Sequence, residues 1–152
     1  MIREANSSDL KGLLELYLHL HEVSVPDSDD RMLSIWKKIL DNDDYHIIVC
    51  EENGMIVSSC TCVVIPNLTR NGSPYALVEN VVTHEEYRGR GYATACLDYA
   101  KEIALKEDCY KIMLITGSDD PKTHAFYRNA GYSAEGKTAY YNKLKKVNWN
   151  KN

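Results

Sequence analysis

The chain has 152 residues, 44% hydrophobic and 26% charged, with 8 Gly and 4 Pro, the make-up of one ordinary globular domain. This excludes a disordered, collagen-like or coiled-coil chain, and roughly 70% of the unfolded surface can be buried at this length without a metal or disulfide staple. A net charge of −4 argues against a broad electrostatic grip on nucleic acid or on an anionic membrane. Apolar runs fall short of the ~18 residues of a membrane span. Met1–Asp9 lacks the apolar core of a secretory signal. A soluble cytoplasmic domain over residues 1–145 is expected, followed by a polar, flexible tail from 146 to 152.

Taken in order, Ile2 to Ala5 reads as a short first strand. Ser7, Ser8 and Asp9 then offer N-caps to a helix whose apolar positions are Leu10, Leu13, Leu14, Tyr17 and Leu18. Pro26 interrupts, and Asp27 or Ser28 can open a second helix with a buried stripe of Met32, Ile35, Trp36, Ile39 and Leu40. Tyr45–Glu52 and Met55–Ile65 are strand-like and joined by Asn53-Gly54, a strong hairpin signal. After a loop from Pro66 to Pro74 comes a strand over Tyr75–Thr83, then a long helix with Ala93, Cys96, Leu97, Ala100 and Ala104 on one face. A β-rich run over Lys111–Thr116, a short helix around Lys122–Ala130 closed by Gly131, and a last strand over Thr138–Leu144 complete the reading.

That order predicts a mixed α/β fold with a mostly antiparallel sheet of six to seven strands flanked by about four helices, arranged β-α-α-β-β-β-α-β-α-β. The strand–helix–strand unit from Tyr75 to Thr116 should place its two strands parallel. Five cysteines, Cys50, Cys60, Cys62, Cys96 and Cys109, match no zinc or redox spacing and read as reduced packing residues. Cys60 and Cys62 alternate in one strand and should point the same way.

The most informative segment runs Val81-Val82-Thr83-His84-Glu85-Glu86-Tyr87-Arg88-Gly89-Arg90-Gly91-Tyr92-Ala93-Thr94. A strand enters a turn with two glycines and two arginines, and the turn opens a helix. Glycines let a ligand approach the backbone, and the first-turn amides and dipole of the helix favour an anion such as a pyrophosphate. A dinucleotide fingerprint would need a third glycine where Thr94 stands, and a Walker A loop would need Gly-Lys-Ser/Thr.

At these residues the chain resembles the GNAT superfamily of acetyl-CoA-dependent N-acetyltransferases. Its signature, Gln/Arg-x-x-Gly-x-Gly/Ala, is met by Arg88, Gly91 and Ala93, and a second motif by His124-Ala125-Phe126-Tyr127-Arg128-Asn129-Ala130-Gly131-Tyr132. The resemblance implies that backbone amides of Arg88, Gly89, Arg90, Gly91, Tyr92, Ala93 and Thr94 cradle the coenzyme A pyrophosphate. It implies that Val81, Val82 and Thr83 pair with the pantetheine arm, the Val82 amide polarising the thioester, with acetyl-CoA as co-substrate and no metal. Many members carry Asn where this chain has Asp120.

Amine acetylation needs a base for the amine and an acid for the leaving thiol. Tyr127 matches the family's acid position. Glu79, inside the apolar run Leu77–Val82, is the base candidate: burial there would raise its pKa toward a useful value. Its alternative is a structural partner of Asn80 or a nearby cation. His84 and His124 titrate in a useful range but also suit a turn and a helix face. The expected reaction is acetyl transfer to a primary amine of a small molecule by direct attack in a ternary complex. A non-catalytic acyl-CoA-binding module, an amino sugar phosphate acceptor and a protein amine acceptor stand as alternatives, and a homodimer is possible.

Overall fold

A computed structural model describes residues 1–145; the tail from 146 to 152 lies outside the described residues. The chain falls into two compact units, Met1–Leu114 and Ile115–Asn152. The first holds five strands, β1 (Ile2–Glu4), β2 (Tyr45–Glu52), β3 (Met55–Ile65), β4 (Tyr75–Thr83) and β5 (Ile112–Leu114), and three helices, α1 (Leu10–Leu16), α2 (Asp30–Leu40) and α3 (Tyr92–Lys106). The second holds α4 (Pro121–Asn129).

The sheet follows chain order, β1-β2-β3-β4-β5, antiparallel through β4 and parallel between β4 and β5. Between β2 and β3 the turn is the two-residue kind expected: Glu52 pairs with Met55, and Asn53 and Gly54 have φ of 52° and 79°. Both central residues must be left-handed in such a turn, which Asn and Gly tolerate.

Each face of the sheet has its own cover. Cys60 Sγ lies 3.5 Å from the Cys96 carbonyl and Cys62 Sγ 3.9 Å from that of Ala100, so both thiols face α3 as the alternation requires. Burial pushes the Cys62 and Cys96 thiols up to about 12, and all five cysteines are free. The other face carries a core of Leu13, Leu16, Trp36, Ile47, Val49, Ile56 and Val82 under α1 and α2. The start of α1 is tied back to the sheet: Arg3 donates to Asp9 at 2.6 and 3.0 Å and to Glu51 at 2.8 Å, while Asp9 accepts from the Asn6 amide at 2.7 Å.

Several expectations need correction. The first helix is three pieces, 3-10 turns over Ser7–Asp9 and Tyr17–His19 around a seven-residue α1, and its cap is Asn6. Asp29, not Asp27 or Ser28, caps α2 by accepting from the Met32 amide at 2.8 Å. On α2 only Trp36 is buried; Ile35 and Leu40 are 39% and 37% exposed. The sheet has five strands among the described residues, not six or seven. Thr138–Leu144 forms no strand: Tyr140, Tyr141 and Leu144 are all exposed, so neither alternate set of side chains has a buried face to hold a register.

Candidate active site

β4 changes character halfway along. Ser59 pairs with Val82 and Thr61 with Glu79, so Asn80 and Val81 together oppose Cys60. This is a β-bulge, and Asn80 takes the left-handed conformation it needs, φ 51°. Pairing with β5 ends just before it, at Val78 opposite Leu114. From Glu79 to Thr83 the β5-side edge of β4 therefore has no ladder partner among the described residues. Val82 buries its side chain in the core and its carbonyl accepts from Ser58 of β3, while Val81 and Thr83 are half-buried.

The glycine turn follows at once. Glu85–Tyr87 forms a 3-10 turn capped by His84, whose Nδ1 accepts from the Glu86 amide at 3.3 Å. Gly89 and Gly91 have φ of 74° and 84°, and a Cβ at either position would meet no atom within 4 Å. No side chain caps α3 at Gly91. An exposed helix start, uncapped and approached by two bare backbone positions, suits a pyrophosphate. The arginines serve this turn from within it. Arg88 donates to the carbonyls of Thr83 at 3.2 Å and His19 at 3.3 Å, and Arg90 donates to that of Glu86 at 3.0 Å and lies over the Tyr87 ring. Of the predicted cradle, Arg88, Gly89, Arg90, Gly91 and Thr94 are exposed, and Tyr92 and Ala93 half-buried. His84 stacks on His19 with ring centroids 4.0 Å apart, a turn residue as its alternative reading held.

Glu79 is exposed, which corrects the burial expected for it. The strand is central only as far as Val78; beyond the last β5 pair, solvent reaches the edge. Its cross-strand neighbour is Thr61, and burial, with the charge of Glu79, pushes the Tyr45 phenol up. Beside them Tyr17 is pushed up to about 12 by burial. Tyr17, Tyr45, Thr61 and Asn80 border a cavity of about 150 Å³ between α1, α2 and the sheet. A wider hollow of about 590 Å³ beside Lys37, Asp41 and Asn42 is open to solvent and lies at the far end of α2, with no residue of β4 in its lining.

Within the second unit, Asp120 caps α4 by accepting from the Lys122 amide at 2.8 Å, so its carboxylate is committed to the helix start. His124 Nε2 lies 2.7 Å from the Ser118 carbonyl, a structural tie. Tyr127, on α4, is half-buried with its ring against Phe126 and Tyr132 at centroid distances of 5.0 and 6.3 Å. Gly131 closes the helix at φ 93°.

Sequence reasoning missed Asn80 as the bulge residue, Arg88 as a brace, and Tyr17, Tyr45 and Thr61 as the polar border of the cavity next to Asn80. An Asn inside an apolar strand is the one local signal that could have marked the bulge.

The mixed sheet thus carries a bulged strand, β4, that runs into the glycine-bearing start of α3. Residues 10–132 match the model of the acetyltransferase (GNAT) family, and the chain belongs to that family: it is an N-acetyltransferase by kind. It is 31% identical over 134 residues to a glucosamine 6-phosphate N-acetyltransferase of Trypanosoma brucei brucei, covering 88% of each chain. Among solved structures it is similar to a putative acetyltransferase of Agrobacterium tumefaciens, with 40% identity, TM-score 0.88 and coverage of 94% of this chain and 99% of that one. It is similar also to a Trypanosoma brucei acetyltransferase, with 28% identity, TM-score 0.79 and coverage of 94% and 99%. No described helix is long and apolar enough to cross a membrane.

Proposed function

We propose that residues 1–145 act as one domain that moves the acetyl group of acetyl-CoA to the primary amine of a small molecule, by direct attack within a ternary complex. The observation that carries this reading is the course of β4: its edge loses a partner after Val78, then leads into the uncapped start of α3 at Gly91. An extended pantetheine arm would add to β4 along Val81, Val82 and Thr83 as a strand does. Its pyrophosphate would meet the amides from Arg88 to Thr94.

In the reaction a bond forms between the amine nitrogen and the acetyl carbonyl carbon, and the carbon–sulfur bond breaks. Glu79 accepts the proton that the nitrogen loses, through a water, which its exposure allows. Tyr127 returns a proton to the departing thiolate; this assignment rests on its match to the second family motif. The relative acting on glucosamine 6-phosphate supports a primary amine as acceptor.

The test joins ligand binding to turnover. Acetyl-CoA, and neither ATP nor NAD, should raise the melting temperature; at 100 times Kd the gain is about 2.7 kcal/mol. Glu79→Gln and Tyr127→Phe should each lower kcat about 100-fold with that shift retained. Unchanged kcat in both variants would remove their roles, and no shift with saturating acetyl-CoA would remove the reading.

A further inference from the structure

The cavity beside Glu79 has a chemistry at odds with a phosphorylated or polyhydroxylated acceptor. Its walls are Leu13, Met32, Trp36, Ile39 and other aliphatic side chains of α1, α2 and β2. Its polar borders are Tyr17, Tyr45, Thr61 and Asn80, and among the described residues no Lys, Arg or His lines it. The Trp36 indole is already taken up, donating to the Ser7 carbonyl at 3.3 Å. A phosphate dianion placed there would be an uncompensated charge in an apolar site. A sugar would leave most of its hydroxyls without partners.

We infer that the acceptor of this enzyme is an amine with an apolar body of about the size of one ring, which enters this cavity while the amine stays at Glu79. This rests on the acetyl-transfer reading above. Three observations carry it. The volume of about 150 Å³ is that of an apolar cavity known to hold a benzene-sized guest. The lining is dominated by aliphatic and aromatic side chains, whose burial of a ring is favourable. Thr61, on the border, is the cross-strand neighbour of Glu79, their Cβ atoms ~5 Å apart, and Asn80, the next residue after Glu79, lines the cavity too. A cationic amine on a one- or two-carbon arm from the ring spans that step. Its cation is held by the carboxylate before deprotonation.

The experiment compares acceptors and then the cavity itself. Thiol release from acetyl-CoA is followed with 2-phenylethylamine, hexylamine, glucosamine 6-phosphate and spermidine. The ring amine should exceed glucosamine 6-phosphate and spermidine in kcat/KM by at least about 100-fold, as expected when an apolar pocket chooses between matched and unmatched bodies. Preference for the phosphate or the polyamine, or no turnover of 2-phenylethylamine, overturns the inference.

Binding of 2-phenylethylamine is then measured by calorimetry on the protein saturated with coenzyme A. Ile35→Trp, at a wall position already 39% exposed, and Leu14→Trp should fill the cavity and raise its Kd at least tenfold while the acetyl-CoA melting shift is kept. Unaltered affinity in both variants overturns the inference. Ring-amine binding that depends on the cavity, in a protein that acetyl-CoA does not stabilise, would support the cavity assignment while removing the acetyl-transfer reading.

Discussion

The buried hydroxyl of Ser58 donates to the Val82 carbonyl at 2.9 Å and lies 2.8 Å from the Thr83 hydroxyl. It thereby fixes β4 just beyond the bulge, at the residues proposed to meet the pantetheine arm. Because Ser58 is fully buried, no water can replace its contacts. Ser58→Ala should cost about 1–2 kcal/mol in urea unfolding with an unchanged m-value. It should also raise KM for acetyl-CoA more than KM for the amine, since the strand edge and not the acceptor cavity loses its anchor. Equal changes in both would assign Ser58 to general stability alone.

Asn80 carries the bulge at φ 51°, where a side chain branched at Cβ is strained. Asn80→Gly should be tolerated within a few tenths of a kcal/mol, whereas Asn80→Val should cost about 1–2 kcal/mol from backbone strain. If Asn80→Val relaxed instead into a regular strand, stability would hold and kcat would fall, because the register of Val81 to Thr83 along the unpaired edge would shift by one residue. Urea unfolding together with kcat separates these outcomes.

Asp9 gives the fold its acid sensitivity. The Arg3 guanidinium, through two hydrogen bonds, holds the Asp9 carboxyl below the usual carboxylate range, against the opposing effect of burial. A depressed folded pKa means that the unfolded chain binds the proton first. The contribution is therefore complete above the unfolded value near ~4 and is lost as pH falls through the folded one. Unfolding free energy should be level in this respect from pH 7 to about 5 and decline below about 4. Asp9→Asn should flatten that decline, and Asp9→Ala should cost about 2 kcal/mol at pH 7 by removing both the ion pair with Arg3 and the bond from the Asn6 amide. A pH profile of Asp9→Asn parallel to that of the unmodified chain would refute the assignment.

Features set by neighbours in sequence were legible. Asn53-Gly54 specifies its turn through backbone conformation alone, Gly89 and Gly91 take the left-handed conformation of a glycine turn that opens α3, and Cys60 and Cys62 follow the strand period to α3. What escaped depends on which strand stands opposite. The run Leu77–Val82 is apolar enough for a central strand, and only the cross-strand register reveals Asn80 and Val81 sharing one partner. Glu79 was expected to be buried for the same reason; the end of β5 pairing at Val78 exposes it. Ile35 and Leu40 keep helical spacing with Trp36, yet α2 meets the sheet across a cavity, so its stripe is only partly covered.

Gly91 offers a direct test of the pyrophosphate cradle. Its φ of 84° is strained for any residue with a Cβ, and the space such a Cβ would enter holds no protein atom within 4 Å. Gly91→Ala should therefore destabilise the free protein only through backbone strain, by about 1–2 kcal/mol, with no added clash. A bound pyrophosphate would occupy that same space, so the methyl group should weaken acetyl-CoA much further: Kd up at least tenfold, with KM for the amine little altered. Gly72, also left-handed at φ 78° and free of neighbours within 4 Å, is the control, because it sits in the loop before β4. Gly72→Ala should show the strain and leave acetyl-CoA affinity unchanged. If calorimetry gave the two variants the same modest loss of affinity, or none, the helix start at Gly91 would not be where the phosphates sit.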